Sequence, residues 1–187
     1  MLNRFTVKQR MYIIILLILA LFLGMAWAAV NSSNKVRDMA ISSTEKVMLE
    51  DQKDKIRVAT HSVALSVGHA IEDVSGAEAR VRIIRNLIDD IRFEADESGY
   101  YFVYRDTTNV ALPPNKDLQG KDLGDLSDKN GVQLVEELRK EARDGGGFVQ
   151  YIWPKPGAGD VPKLSYAEMI PGTDYWIGTG IYIDNID

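Results

Sequence analysis

The chain has 187 residues, with 27 acidic against 22 basic side chains, a formal net charge of -5 and no cysteine. The acidic balance argues against a general nucleic-acid binder, and the missing cysteines exclude disulfide frameworks, thiol catalysis and cysteine-based metal sites. The two histidines, His61 and His69, stand eight residues apart, too far for the i, i+4 pair of a helical zinc site.

Residues 1–10 carry Arg4, Lys8 and Arg10 and no acid, and residues 11–30 are twenty uncharged, mostly apolar positions. Twenty such residues are about the length that crosses a bilayer as a helix. The basic flank belongs in the cytoplasm, which places the remainder on the outer side, with Trp27 at the outer interface. The uninterrupted length favours a retained anchor. Ala26-Trp27-Ala28 also resembles a signal-peptide cleavage site, and cleavage there would release an exported binding protein instead.

Residues 31–74 are polar, free of proline and rich in helix formers. Leu49, Ile56, Val63 and Ala70 recur every seven residues, and Thr60, Val67 and Val74 form a partial second seam. The pattern predicts a long helix that buries one stripe against a sheet or a partner helix. Ser75-Gly76-Ala77-Glu78 fits a capping box. It opens a second helix with Ala77, Val81, Ile84, Ile88 and Ile91 on one face, ending at Glu94 to Gly99. Tyr100 to Arg105 and Val110 to Leu112 read as strands joined by Asp106-Thr107-Thr108-Asn109, with Pro113-Pro114 as a stop. Residues 115–130 read as irregular chain pinned by Leu118, Leu123 and Leu126. Val132 to Asp144 reads as a third helix, with Leu134, Leu138 and Ala142 on one face and Gly145 ending it.

From Gly147 to Ile183 three runs rich in β-branched and aromatic residues alternate with two clusters of Pro, Gly and Asp. That is the pattern of three consecutive antiparallel strands. Pro154 to Pro162 is expected to project as a long loop, and Pro171 to Asp174 to form a β-turn. The fold class is therefore α+β: a five-stranded antiparallel sheet covered by helices, with a long N-terminal helix preceded by one transmembrane helix.

Six motifs occur in order. They are Gly99-Tyr100-Tyr101-Phe102-Val103-Tyr104, Leu118-Gln119-Gly120-Lys121-Asp122-Leu123, Gly146-Gly147-Phe148-Val149, Trp153-Pro154-Lys155-Pro156, Pro162-Lys163-Leu164-Ser165-Tyr166, and Trp176-Ile177-Gly178-Thr179-Gly180-Ile181-Tyr182-Ile183-Asp184. Together they resemble the single-Cache domain of the second type, a PAS-like sensor of bacterial methyl-accepting chemotaxis receptors and some histidine kinases. The resemblance covers roughly residues 31–187, with a PAS-like core at about 75–184. It implies a periplasmic ligand-binding domain anchored in the bacterial inner membrane and dimeric through the long helices. It also implies a short organic acid of the acetate, propionate, pyruvate or lactate class as ligand. No cofactor, metal or nucleic-acid partner is expected, and no enzymatic role. A complete receptor would continue beyond Asp187 into a second span and a cytoplasmic output.

On that basis six residues are candidate ligand contacts: Arg92, Phe102, Tyr104, Trp153, Lys163 and Tyr166. A carboxylate suits the planar fork of Arg92 at the end of the second helix, where the plainer role is to face the helix dipole. Strand alternation puts Tyr100, Phe102 and Tyr104 on one face, with Tyr101, Val103 and Arg105 on the other. Tyr104 and Tyr166 can offer hydroxyls while their rings wall a pocket or simply fill core. Lys163 and Tyr166 point to opposite faces of a regular strand, so both line one pocket only if Lys163 lies in the loop or at a bulge. Trp153-Pro154-Lys155-Pro156 either caps the pocket or stiffens a hairpin. Gly178 and Gly180 leave room for a ligand or for close helix packing. His61 has no partner for catalysis and reads as structural. Asp89-Asp90 reads as solvated, and Asp184 with Asp187 forms a further acidic pair with no assigned role. Gly145-Gly146-Gly147 lacks the following Lys-Ser/Thr of a phosphate loop.

Overall fold

A computed structural model describes residues 7–155 and 157–183 of the chain. Arg4, Pro156, Asp184 and Asp187 lie outside the described residues. Two compact units divide the chain, Met1–Val47 and Met48–Asp187.

Helix α1 runs from Val7 to Ile71. Within the first unit, Met11–Ser33 is long and apolar enough to cross a membrane, with a mean hydropathy of 2.9, and every side chain along it is exposed. A helix that is apolar all round and buries nothing suits a lipid environment.

The second unit is a sheet with helices on both faces. Strands β1 (Tyr101–Arg105), β2 (Thr108–Ala111), β3 (Gly147–Lys155), β4 (Gly159–Met169) and β5 (Tyr175–Tyr182) form one antiparallel sheet in the order β2-β1-β5-β4-β3. Against one face lie the lower half of α1 and helix α2 (Ala77–Ile88), whose Ala64, Val67, Ile71, Ile84 and Ile88 pack with Tyr101, Val103, Tyr175 and Ile177. Helix α3 (Leu134–Arg143) covers the other face, with Leu134, Val135, Leu138 and Ala142 over Tyr100, Phe102, Tyr104 and Trp176. The alternation expected for β1 is the one observed.

The heptad on α1 meets this sheet. Ile56 is fully buried with Leu164, Tyr166 and Ile181, Leu49 packs at the edge of that group, and Val63 packs on the larger cluster. Ile56 at the centre of the stripe is therefore covered by the chain's own sheet, while Leu49 and Val63 are half-buried and Ala70 is exposed. Burying an isoleucine contributes about 1.5–3 kcal/mol, which a polar replacement at Ile56 would forfeit.

Three local expectations are corrected. Ser75 does not cap α2: the cap position falls on Gly76, at φ +94°, and no side chain bonds the helix end. The chain reverses there between two helices, and only glycine takes that φ without strain. The connection from Pro154 to Pro162 is not a projecting loop, because β3 and β4 stay paired out to Lys155 and Gly159. Both prolines sit inside the strands, where a missing N–H is tolerated: β3 is an edge, and β4 has no β5 neighbour before Lys163. Residues 106–109 are not all connection, since β2 begins at Thr108 after a turn in which Asp106 takes φ +53°. The second expected turn is present: Gly172 has φ +72°, and Thr173 N–H donates to Ile170 O at 3.2 Å.

Candidate functional site

Lys163 organises the α3 face of the sheet. It lies in regular strand, opposite Tyr151 on β3 and Tyr182 on β5, and is 0% exposed. Residues opposite one another in a ladder share a face, so these three form a row. From that row the lysine side chain crosses β5 at Gly180: a Cβ there would come within 2.9 Å of Lys163 Cε and 2.1 Å of Ser165 Oγ. The glycine is what lets the lysine reach β1. Its Nζ ends 3.9 Å from the centroid of the Tyr100 ring and 4.7 Å from that of Tyr182.

No hydrogen-bond partner meets this Nζ. Burial alone pulls its pKa down from 10.5 to about 7, and no Asp or Glu acts to restore it. The electron-rich ring faces of two tyrosines offer the cation its compensation. Hydroxyls converge around it. Tyr151 OH and Ser165 Oγ are 2.9 Å apart, and the Trp153 ring packs edge-on against Tyr151 with centroids 6.1 Å apart. Burial pushes the phenols of Tyr100 and Tyr151 well above their usual range, and that of Tyr104 up to about 12. They are therefore neutral donors at any physiological pH.

The cage is held by bonds from outside it. Thr179 Oγ1 donates to Tyr100 O at 2.6 Å, and Tyr182 OH to Pro154 O at 2.8 Å. On the exposed edge of the sheet the Asp128 carboxylate takes the place of a missing strand. It accepts Ile152 N–H at 2.7 Å, between the cage residues Tyr151 and Trp153, and also Asn130 and Val132 N–H. Outside lies a cleft of about 260 Å³ lined by Tyr100, Leu112, Trp153, Pro154, Lys155 and Tyr182.

Four of the six candidates gather on this face. Lys163 is the centre, and Trp153 packs edge-on against Tyr151. Tyr104 stacks on Trp176 at 4.7 Å, and Phe102 fills the space left by Gly178, with ring centroids 6.4 and 6.1 Å from Tyr100 and Tyr104. The two glycines thus make room for Phe102 and Lys163, not for a helix. Tyr166 lies on the opposite face, packed on Phe148 at 4.9 Å and donating to Glu168 at 3.2 Å. Lys163 is in neither a loop nor a bulge, so strand alternation separates the two. Arg92 is exposed, with Nη1 donating to the carbonyls of Asp89 and Ile91 at 2.9 and 2.7 Å. It serves the end of α2 and does not join the cage. His61 bonds Glu168 at 2.9 Å, linking α1 to β4, and Asp89 pairs with Lys116 at 2.5 Å.

Tyr100, Tyr151, Ser165, Tyr182, Gly180 and Asp128 belong to the site although they were not among the six. The period-2 alternation of β3 and β4 carries Tyr151 and Ser165, but only once the hairpin register is known. Among the described residues no cluster of His, Asp or Glu could hold a metal ion.

A family model described as a Cache domain matches residues 28–187. The chain belongs to the Cache domain family. It is 30% identical to the sensor histidine kinase MctS of Rhizobium johnstonii over 92% of its length, and 28% identical to the methyl-accepting chemotaxis protein CtpM of Pseudomonas aeruginosa over 98%. It spans 37% and 33% of those relatives. Among solved structures, a methyl-accepting chemotaxis protein from Vibrio parahaemolyticus matches with TM-score 0.68 and 29% identity, covering 79% of this chain and 99% of that one. A Cache chemosensory domain described for its recognition of a carboxylic acid matches with TM-score 0.64 and 25% identity, covering 74% and 98%. The chain is thus a Cache sensor domain of the kind found in chemotaxis receptors and sensor kinases.

Proposed function

We propose that this Cache domain senses a short carboxylate on the outer side of the bacterial inner membrane and passes occupancy to a transmembrane signalling output. One observation carries the ligand chemistry: Lys163 is a fully buried cation with no hydrogen bond and no acidic neighbour. A buried charge is retained where something pairs with it. A carboxylate seated on Nζ restores the charged form, accepts from the Tyr151, Ser165 and Tyr100 hydroxyls, and lays its short apolar tail against aromatic rings. A free amino acid suits the cage poorly, because nothing there neutralises its ammonium group.

The output is a chemotaxis receptor or a histidine kinase. Relatives of both kinds align with nearly all of the chain. In both, Met11–Ser33 anchors the domain.

Calorimetric titration of the full chain in detergent with acetate and propionate, against methylammonium and glycine, tests this reading. Binding of the carboxylates alone, lost in Lys163→Met, is expected. Binding of the amine, or carboxylate binding unchanged in Lys163→Met, refutes it.

A further inference from the structure

We propose that the cleft outside the cage is the route by which the ligand enters, that the Tyr182 ring is its inner door, and that Lys155 receives the anion there before Lys163 does. The role of Lys155 rests on the carboxylate reading above; the door does not. Lys163 is 0% exposed, so whatever pairs with its Nζ arrives only when something covering it moves. Two rings lie against that Nζ, Tyr100 with its centroid at 3.9 Å and Tyr182 at 4.7 Å. Both also line the cleft of about 260 Å³, so they stand between solvent and the buried ammonium group.

Of the two rings, Tyr182 is the one placed to swing. Tyr100 is buried at the start of β1, an interior strand, with Phe102 packed against its ring at 6.4 Å and Thr179 bonded to its carbonyl. Tyr182 is half-buried, ends β5 and forms the end pair of the β4–β5 ladder. A change of χ1 there moves the ring without unpairing a strand. Its hydroxyl donates to Pro154 O at 2.8 Å, a latch onto an exposed residue of the edge strand. Lys155 lines the same cleft, with Nζ 5.4 Å from the Tyr182 centroid, so two lysines address one ring. The Lys155 side chain is only 13% exposed, and it rests on Asp96 at 3.2 Å. Asp96 does not depend on that pairing: Ser98 N–H donates to it at 3.1 Å, and Ser98 holds its carboxyl down at about 2. An arriving carboxylate can therefore replace Asp96 on Lys155. When Tyr182 swings, Lys163 loses one of its two ring faces, which keeps the door closed until an anion takes the vacated side.

Acetylation of the ligand-free full chain in detergent by succinimidyl acetate measures how often the door stands open. Labelling is read at Lys163 by peptide mass spectrometry, against the exposed Lys121 as internal reference. Tyr182→Phe keeps the ring and loses the latch to Pro154, and should speed labelling of Lys163 about 2- to 10-fold. Tyr166→Phe loses one hydroxyl bond on the opposite face of the sheet and should leave the rate unchanged. No acceleration in Tyr182→Phe overturns the door, and so does equal acceleration in both variants, which would mean general loosening. A larger acceleration in Asp128→Ala would place the entry at the β3 edge and also overturns it. A cation at the mouth of a site acts chiefly on the association rate and its salt dependence. Lys155→Met should slow stopped-flow association of propionate about 3- to 10-fold at low salt, and less at about 0.5 M salt, with dissociation within about twofold. Tryptophan fluorescence reports it, since Trp153 lines the cleft. Normal association with faster dissociation would make Lys155 part of the bound site and overturn its role in entry. If propionate does not bind the wild type, the carboxylate reading and the role of Lys155 fail together, and the acetylation rates still decide the door.

Discussion

Replacing Lys163 with Met should make the ligand-free domain more stable while abolishing its response to ligand. The side chain is fully buried, and its pKa falls from 10.5 to about 7 through burial alone. A gap of about 3.5 units corresponds to about 5 kcal/mol of cost against the charged form, at 1.36 kcal/mol per unit. The sign follows from proton counts. Between pH of about 7 and 10.5 the unfolded chain holds this proton and the folded chain does not, so stability rises with pH across that window. Below about 7 both states hold it, and the cost is at its full value. Methionine has similar length and carries no charge into the aromatic cage. Its advantage over the wild type should be about 4 kcal/mol at pH 7, about 2 at pH 9, and near zero above 10.5.

Urea unfolding in detergent, followed through the fluorescence of Trp153 and Trp176, measures this at pH 7, 8 and 9. The decisive quantity is the slope of the difference between variant and wild type, roughly -1.4 kcal/mol per pH unit, because every other titrating group cancels. A difference that stays flat with pH would refute the assignment of a desolvated lysine. A wild type more stable than the variant at pH 7 would mean that the cage compensates its own cation and needs no ligand.

Binding should take up a proton, since the anion requires charged Lys163, so affinity for propionate is expected to fall about tenfold from pH 8 to pH 9; a pH-independent constant contradicts it. Gly180→Ala should cost about 1–3 kcal/mol and abolish binding, because its Cβ meets Leu164 O at 2.8 Å as well as Ser165 and Lys163, and the strand backbone cannot yield. Arg92→Ala should leave affinity within about twofold, since this exposed guanidinium bonds only helix-end carbonyls; a hundredfold loss would return it to the site. Ile56→Asp should unfold the domain as seen by circular dichroism, because a fully buried side chain facing the sheet cannot take a charge; a folded variant with altered association would place the dimer contact at this seam.

Element order, strand pairing and the faces of β1 were legible because they rest on period. Tyr100–Tyr104 is an unbroken aromatic and apolar run in which strand geometry sends successive residues to opposite faces, and Ile84 and Ile88 recur at helical spacing; both placements hold in the fold. The site was less legible for two reasons. Proline and glycine between Trp153 and Lys163 suggested a loop, and the edge position that lets proline stay in a strand is not written in the local sequence. With the register displaced, Tyr151 had no visible relation to Lys163. Arg92 attracted the carboxylate role because a guanidinium matches it best, whereas the group that reaches the cage is a lysine whose path depends on a glycine on another strand. Asp128 could not be placed at all, since an acid that closes a sheet edge is defined only by the edge.

The energetics of Lys163 bear on signalling as well as binding. Two ring faces contribute on the order of 2 kcal/mol to a desolvated cation, against a burial cost of about 5. A deficit of that size persists in a folded domain only where stability elsewhere covers it, and the α1 stripe through Ile56, Val67 and Ile71 supplies burial of that order. The ligand-free state is thus held in a compromised arrangement by the packing on the far face of the same sheet. An anion on Nζ would remove the deficit, and a ligand-driven shift requires that it do so in one conformation more than in the other. Strand β4 carries Lys163 on one face and, five residues on, Glu168 on the other, where His61 of α1 meets it at 2.9 Å. Any adjustment of β4 that lets Lys163 settle onto a bound anion acts on that link, because a strand in register with two neighbours moves as a unit.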